Sequence, residues 1–171
     1  MQKSQPIDRI EWAKSIGSIL HQIDHEEKKR WWNAWLRAYF DFRIDSGIPL
    51  EEGEWREMIK WSTHLEEVLP EVIEVLARRP SVKVQDTSLY YELKDQEGLL
   101  RHPSSFADLI LYLLEAEERP FYDVEFLAEV FPKLLNAGAP KPKLRRIVER
   151  LAALGLAKAQ ELATLLDDIP S

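Results

Sequence analysis

All six tryptophans of this 171-residue chain lie within its first 61 residues, and three stand in the run WWNAWLRAYF at 31–40. A chain keeps so many large rings in water only by packing most of them inward. The N-terminal third is therefore the most strongly specified region of the fold. At ~100° per residue, the apolar positions from Trp31 to Phe42 cover about half the circumference of a helix and leave Asn33, Arg37 and Asp41 opposite. A stripe that wide predicts packing against two neighbours. Trp35 and Tyr39 fall near its centre, and Trp31 or Trp32 at its edge is placed to touch a partner. Lys28, Lys29 and Arg30 beside these rings would also suit base stacking or a cation–π cage, but helical spacing favours core packing.

Helical patterns fill most of the chain. Ile10, Trp12, Ala13, Ile16, Ile19, Leu20 and Ile23 make an amphipathic helix over 8–23, and Asp24 followed by Glu27 reads as a capping box for the next. Ser46, Gly47 and Pro49 end that second helix. A third is expected over 51–65, and a fourth runs to Arg78 and Arg79 with Pro70 in its first turn and Pro80 after its end. The stretch 81–103 is ambiguous: Val82 and Val84 alternate like a strand, whereas Leu89, Tyr90 and Leu93 suit a short helix. Further helices are expected at 105–117, at 124–137 behind the cap Asp123, at 142–154 and at 157–167, with Gly138 and Gly155 as C-terminal glycines. The turns VLPEVIEVL at 68–76 and VFPKLLNAG at 130–138, with Pro132 expected to kink its helix, resemble units of a stacked helical repeat. The expectation is an all-α fold, an irregular helical bundle or a short HEAT-like α-solenoid of about seven to nine helices. It is read as a single domain over 1–171: an aromatic-rich segment over 1–80, a connector 81–103 and helical pairs over 104–171.

Composition narrows the function classes. With no cysteine, the chain has no disulfide, no thiolate nucleophile and no cysteine-ligated metal site. Residues 1–20 lack the apolar core of a signal peptide, and no run approaches 18 apolar residues, so the expectation is a cytoplasmic protein without a membrane partner. Twenty-three basic against 30 acidic residues give a net charge of −7, which argues against a dedicated nucleic-acid binder.

Candidate chemistry is sparse. His21 and His25, four residues apart around Asp24, could share a divalent metal on one continuous helix, but a cap at Asp24 would separate them. His102, Ser104, Ser105 and Asp108 include the residue types of a hydrolytic triad, yet residues this close along the chain seldom converge on one oxyanion. Ser104 or Ser105 is better read as capping a helix through Asp108. The six glycines form neither a dinucleotide fingerprint nor a phosphate loop. No catalytic residue, metal ligand or cofactor is therefore assigned. Charge is segregated: 51–74 carries eight glutamates, whereas 133–158 is basic. Lys141, Lys143, Arg145, Arg146 and Arg150 form the candidate partner-binding face, for a protein partner or a neighbouring subunit, against the alternatives of solvated helix faces or a phosphate-bearing ligand.

The strings WWNAWLRAYFDFRIDSGIPLEEGEWREMIKWSTHLEEVLPEVIEVL and HPSSFADLILYLLEA together resemble the helical C-terminal domain of bacterial SIR2-type (sirtuin-like) antiphage defence proteins. The similarity lies in the aromatic helix ending Arg43 to Pro49, the acidic turn leading to Met58 and Trp61, the turn at Leu69 and Pro70, and the His102–Pro103 entry to the next helix. These are packing and turn residues. The resemblance implies a non-catalytic sensing, regulatory or assembly module. In that family NAD-consuming activity belongs to a separate N-terminal domain, whose glycine-rich turn and catalytic-histidine setting this sequence lacks. The effector is then expected on a longer parent chain or has been lost from a stand-alone relative. The other reading is a free-standing helical-repeat adaptor that binds a protein through a charged face.

Overall fold

The computed structural model describes residues 6–83, 88–118 and 125–168, and over these it is all-α, with no strand. The chain read as one domain from sequence groups into two compact units, 1–82 and 83–171, dividing inside the 81–103 connector. Val84 and the expected cap Asp123 lie outside the described residues. No helix among the described residues is long and apolar enough to cross a membrane.

In the first unit, α1 (Pro6–Gln22) packs along α4 (Glu52–Trp61). The approach is close at Gly53, where an added Cβ would come within 2.9 Å of Ile10 Cδ1. The Asp24 carboxylate caps α2 (His25–Trp31), accepting the Glu27 N–H at 2.8 Å, so the chain breaks there as expected. The chain then continues without interruption through a π-helical stretch, Trp32–Leu36, into α3 (Arg37–Asp45). The helix expected over 51–65 stops at Trp61, because the hydroxyls of Ser62 and Thr63 donate to the carbonyls of Ile59 (2.6 Å) and Lys60 (2.9 Å). Two 3-10 turns, Ser62–His64 and Glu66–Val68, lead into α5 (Leu69–Leu76), with Pro70 in its first turn.

The π stretch sets which aromatic rings are buried. The Arg37 N–H bonds to the Trp32 carbonyl, five residues back, so this turn holds more residues than an α turn. On a regular α-helix a four-residue step overshoots a full turn by about 40°. The wider turn absorbs that drift and lets residues four apart run in rows. Trp32, Leu36 and Phe40 form a row with no exposure at all, and Trp31, Trp35 and Tyr39 form a half-buried row beside it. The centre of the arc is thus Trp32, not Trp35 or Tyr39 as uniform spacing predicts.

Each fully buried tryptophan finds an acceptor for its indole N–H, as low-dielectric burial requires. Trp32 donates to Glu71 Oε2 (2.8 Å), Trp55 to the Pro80 carbonyl (3.1 Å) and Trp61 to the Ala13 carbonyl (2.9 Å). Beneath them sits a closed ionic cluster. Glu54 is fully buried and Arg43 is 3% exposed. Arg43 grips both carboxylate oxygens, Nε on Oε1 at 2.6 Å and Nη2 on Oε2 at 2.7 Å, and Nη2 also donates to the Pro49 carbonyl at 3.1 Å. Tyr39 donates to Oε1 (2.9 Å) and Arg9 Nε to Oε2 (3.3 Å). Burial pushes the Glu54 carboxyl up, but the hydrogen bonds from Arg43 and Tyr39 and the charges of Arg43 and Arg9 outweigh it and hold it below its ordinary value.

In the second unit, α6 (Ser88–Asp95) packs on α8 (Glu125–Asn136), which runs through Pro132. α7 (Pro103–Glu115) and α10 (Ala159–Asp167) lie against α9 (Lys141–Ala153). The core alternates at three- and four-residue spacing: Phe106, Leu109, Ile110 and Leu113 on α7, and Leu144, Ile147, Val148 and Leu151 on α9. Gly138 (φ 85°) and Gly155 (φ 83°) close α8 and α9 in the left-handed conformation, and the following N–H groups reach back to Leu134 and Leu151 at 3.0 Å.

Trp32→Ala should destabilise the chain by about 3–5 kcal/mol and Trp35→Ala by distinctly less, read as shifts in urea midpoint at constant slope. Equal shifts would contradict the inward placement of the Trp32 row.

Candidate functional site

The five basic residues singled out from sequence all fall on α9, but they do not form one open cationic face. Lys143 Nζ donates to Asp108 Oδ2 (2.6 Å) and Ser104 Oγ (2.8 Å) on α7. Arg150 closes the C-terminal end of α7, with Nε on the Leu114 carbonyl (3.0 Å) and Nη2 on the Glu117 carbonyl (2.6 Å). A guanidinium is well suited there, since the last carbonyls lack helical partners and carry partial negative charge. Arg145 pairs with Asp167 of α10 at 3.0 Å, an exposed contact of small energetic value. Lys141 is half-buried and engaged, and Arg146 is exposed.

At least five of the eight glutamates in the acidic stretch are paired in the same way. Glu52 pairs with Arg56, Glu54 with Arg43, Glu57 with Lys60, Glu66 with Lys28 and Glu71 with Arg37.

Lys143 also decides the fate of the hydrolytic residue types. An ammonium already donating to a carboxylate has no lone pair with which to take the Ser104 proton, so the trio staples α7 to α9. Neither Ser104 nor Ser105 caps α7. His102 stands at the cap position without a side-chain bond, and its carbonyl accepts the Phe106 N–H at 2.8 Å.

The histidines of the first unit gather where sequence spacing did not place them. His21 and His25 are parted by the Asp24 cap. The His21 ring meets His64 edge-on at 5.3 Å between centroids, and His25 Nδ1 contacts Glu66 Oε1. Glu66 is 2% exposed, and Lys28 Nζ lies 3.3 Å from Oε1, whereas Oε2 is buried without a hydrogen-bond partner. Among the described residues no group of three His, Asp or Glu is arranged to hold a metal ion. Burial, reinforced by His21 and Lys28 and opposed by Glu66, pushes the His64 imidazole down to about 4.

The surface feature that sequence spacing misplaced is a ladder of aromatic rings. Trp12 of α1 stands 4.6 Å from Tyr39, 6.0 Å from Trp35 and 6.1 Å from Trp61 between ring centroids, and Trp31 stands 5.4 Å from Trp35. Trp12 is 38% exposed, and Ile19, seven residues along the same face of α1, is 39% exposed. Two rings are pinned: Trp31 Nε1 donates to Glu27 Oε1 at 3.0 Å, and the Tyr39 hydroxyl is held by Glu54. Exposed aromatic groups on a rigid backing are the usual anchors of protein contacts.

These features define an all-α module in which paired charges join helices and aromatic rings reach the surface. The chain belongs to the family described as a domain of unknown function (DUF4020), whose model matches residues 3–140. The aromatic ladder and the Glu54 and Glu66 clusters lie inside that match, and α9 and α10 lie beyond it. No curated protein and no solved structure matches the chain.

Two outcomes follow. Arg150→Glu should cost about 1.5–3 kcal/mol through lost charge-assisted bonds to α7, whereas Arg146→Glu should stay within about 0.5 kcal/mol. Thermal melts of the two variants separate these roles, and coincident melts would mean that Arg150 is ordinary surface. Alongside the Glu54 cluster, His64 contributes to acid sensitivity. Unfolded, it takes up a proton near 6.5, but folded only near 4, so the unfolded chain binds more protons in that window. Stability is full above the upper value and falls as pH drops through the lower one, by up to about 3 kcal/mol. Urea unfolding at several pH values should show this loss in the wild type and a flatter profile in His64→Gln.

Proposed function

We propose that this chain is a non-catalytic helical module serving sensing, regulation or assembly in a bacterial antiphage defence protein. The observation that carries the reading is how its chemically capable side chains are used. Lys143 of α9 binds Ser104 and Asp108 of α7, and Arg43 and Glu54 bind across α3 and α4. Such groups act as joints of a scaffold. Among the positions on which the resemblance to the SIR2-type helical domains rests, Arg43, Met58, Trp61 and Leu69 are buried in the first unit, which suits a likeness based on packing. The adaptor reading finds its support in the aromatic ladder, since at least three of the five basic residues on α9 are bonded within their own unit.

The test has two arms. Deleting the gene from its bacterial host should raise plaque counts for at least one phage in a broad panel, and a scaffold-breaking Trp32→Ala allele should do the same. Unchanged plaque counts across the panel would remove the defence role. Purified chain should leave NAD and ATP unconsumed, and NAD turnover that disappears in Asp108→Asn would overturn the non-catalytic reading.

A further inference from the structure

We propose that the aromatic ladder of the first unit, Trp12, Trp31, Trp35 and Tyr39 with Ile19 at its end, is a self-association surface that receives the same surface of a second copy. This deepens the assembly role proposed above by naming where the copies meet.

Three observations lead to it. The first is that the ladder is built and held. The π turn lines up Trp31, Trp35 and Tyr39, while Trp32, Leu36 and Phe40 anchor the same segment from below with no exposure. Glu27 fixes the Trp31 indole and Glu54 fixes the Tyr39 hydroxyl. Rings already fixed in place lose little conformational freedom when a surface closes over them, which makes them efficient anchors.

The second observation is an apolar stripe shared by two chain segments. Trp12 and Ile19 extend the ladder onto α1, and Ala34 and Ala38, exposed and four residues apart, form a row of small side chains beside it. Exposed apolar side chains grouped on neighbouring helix faces mark an interaction site more often than ones scattered singly.

The third observation, the local charge, selects the occupant. The charged residues immediately before two of the tryptophans are each neutralised on their own helix: Glu11 by Lys14 at 2.8 Å, and Arg30 by Glu27 at 2.7 Å. A basic or acidic partner would be met by a rim of one sign, and a polyanion by unpaired cations. A two-fold contact sets a patch against itself, so it needs a rim that does not repel its own image. The two ion pairs beside the ladder meet that condition, on a chain whose net charge of −7 opposes self-contact elsewhere.

Sedimentation velocity of the full chain over a wide concentration range, at low and high salt, tests the inference. The wild type should show a monomer–dimer equilibrium that persists in high salt, because apolar contacts are not screened. Ala38→Glu sets a charge beside the ladder without touching the core. It should shift the mass from dimer to monomer while the helical circular dichroism stays unchanged, and Trp31→Ala should act in the same direction. If Trp31→Ala fails to fold, Ala38→Glu decides alone. A chain that stays monomeric at every concentration overturns the proposal, as does a dimer that Ala38→Glu leaves intact or one that dissolves in high salt. Phage protection that survives in a monomeric Ala38→Glu variant would separate the defence reading, which would stand, from the assembly role.

Discussion

The first unit is organised around the salt bridge between Arg43 and Glu54. Burying a carboxylate is costly unless its lone pairs are answered, and here Arg43, Tyr39 and Arg9 supply four bonds from α1 and α3 to the first turn of α4. The spare Arg43 donor reaches the Pro49 carbonyl and fixes the loop between α3 and α4 as well. Removing one partner of such a pair leaves an uncompensated charge in the interior, at a cost of about 3–5 kcal/mol. The net value of the intact pair is far smaller. Its contribution is geometric, since the four bonds hold α1, α3 and α4 together at one point.

The tryptophans extend the same logic outward. The three with no exposure each spend their N–H on a different segment, α5 for Trp32, the stretch after α5 for Trp55 and α1 for Trp61. Burying a ring supplies the free energy, and the single polar atom sets the direction. Trp31 and Trp35 lie half-buried beside the Trp32 row, and Trp12 of α1 is exposed against Trp35. The buried row and the half-buried row are thus two faces of one helical segment, set by the π turn, and α1 adds Trp12 and Ile19 to the proposed contact surface.

In the second unit cations do the joining. Lys143 and Arg150 tie α9 to the two ends of α7, one through a carboxylate and a hydroxyl, the other through helix-terminal carbonyls. Tyr90 and Glu117 form a further buried pair, and burial holds the Glu117 carboxyl above its ordinary value despite the hydrogen bond from Tyr90. A charge cluster seen along a sequence is therefore a poor guide to a charged surface, because the same long side chains are the ones that reach across helix interfaces.

Periodicity, caps and glycines were enough to determine the all-α class and most helix positions. α1, α7, α9 and α10 fall within a few residues of their expected spans, and Gly138 and Gly155 end helices as read. These signals are local: they depend on residues three or four apart and on the conformations that single residues permit. Three things were decided by the tertiary structure. The π turn changed the angle per residue that uniform helical spacing assumes, and so moved the centre of the aromatic stripe from Trp35 to Trp32. Lys28 and Glu66 are 38 positions apart, and Lys143 and Asp108 are 35 apart, too far for any spacing rule to pair them. The exposure of the aromatic ladder depends on which neighbours cover each ring, a property of the packed fold that no segment carries alone.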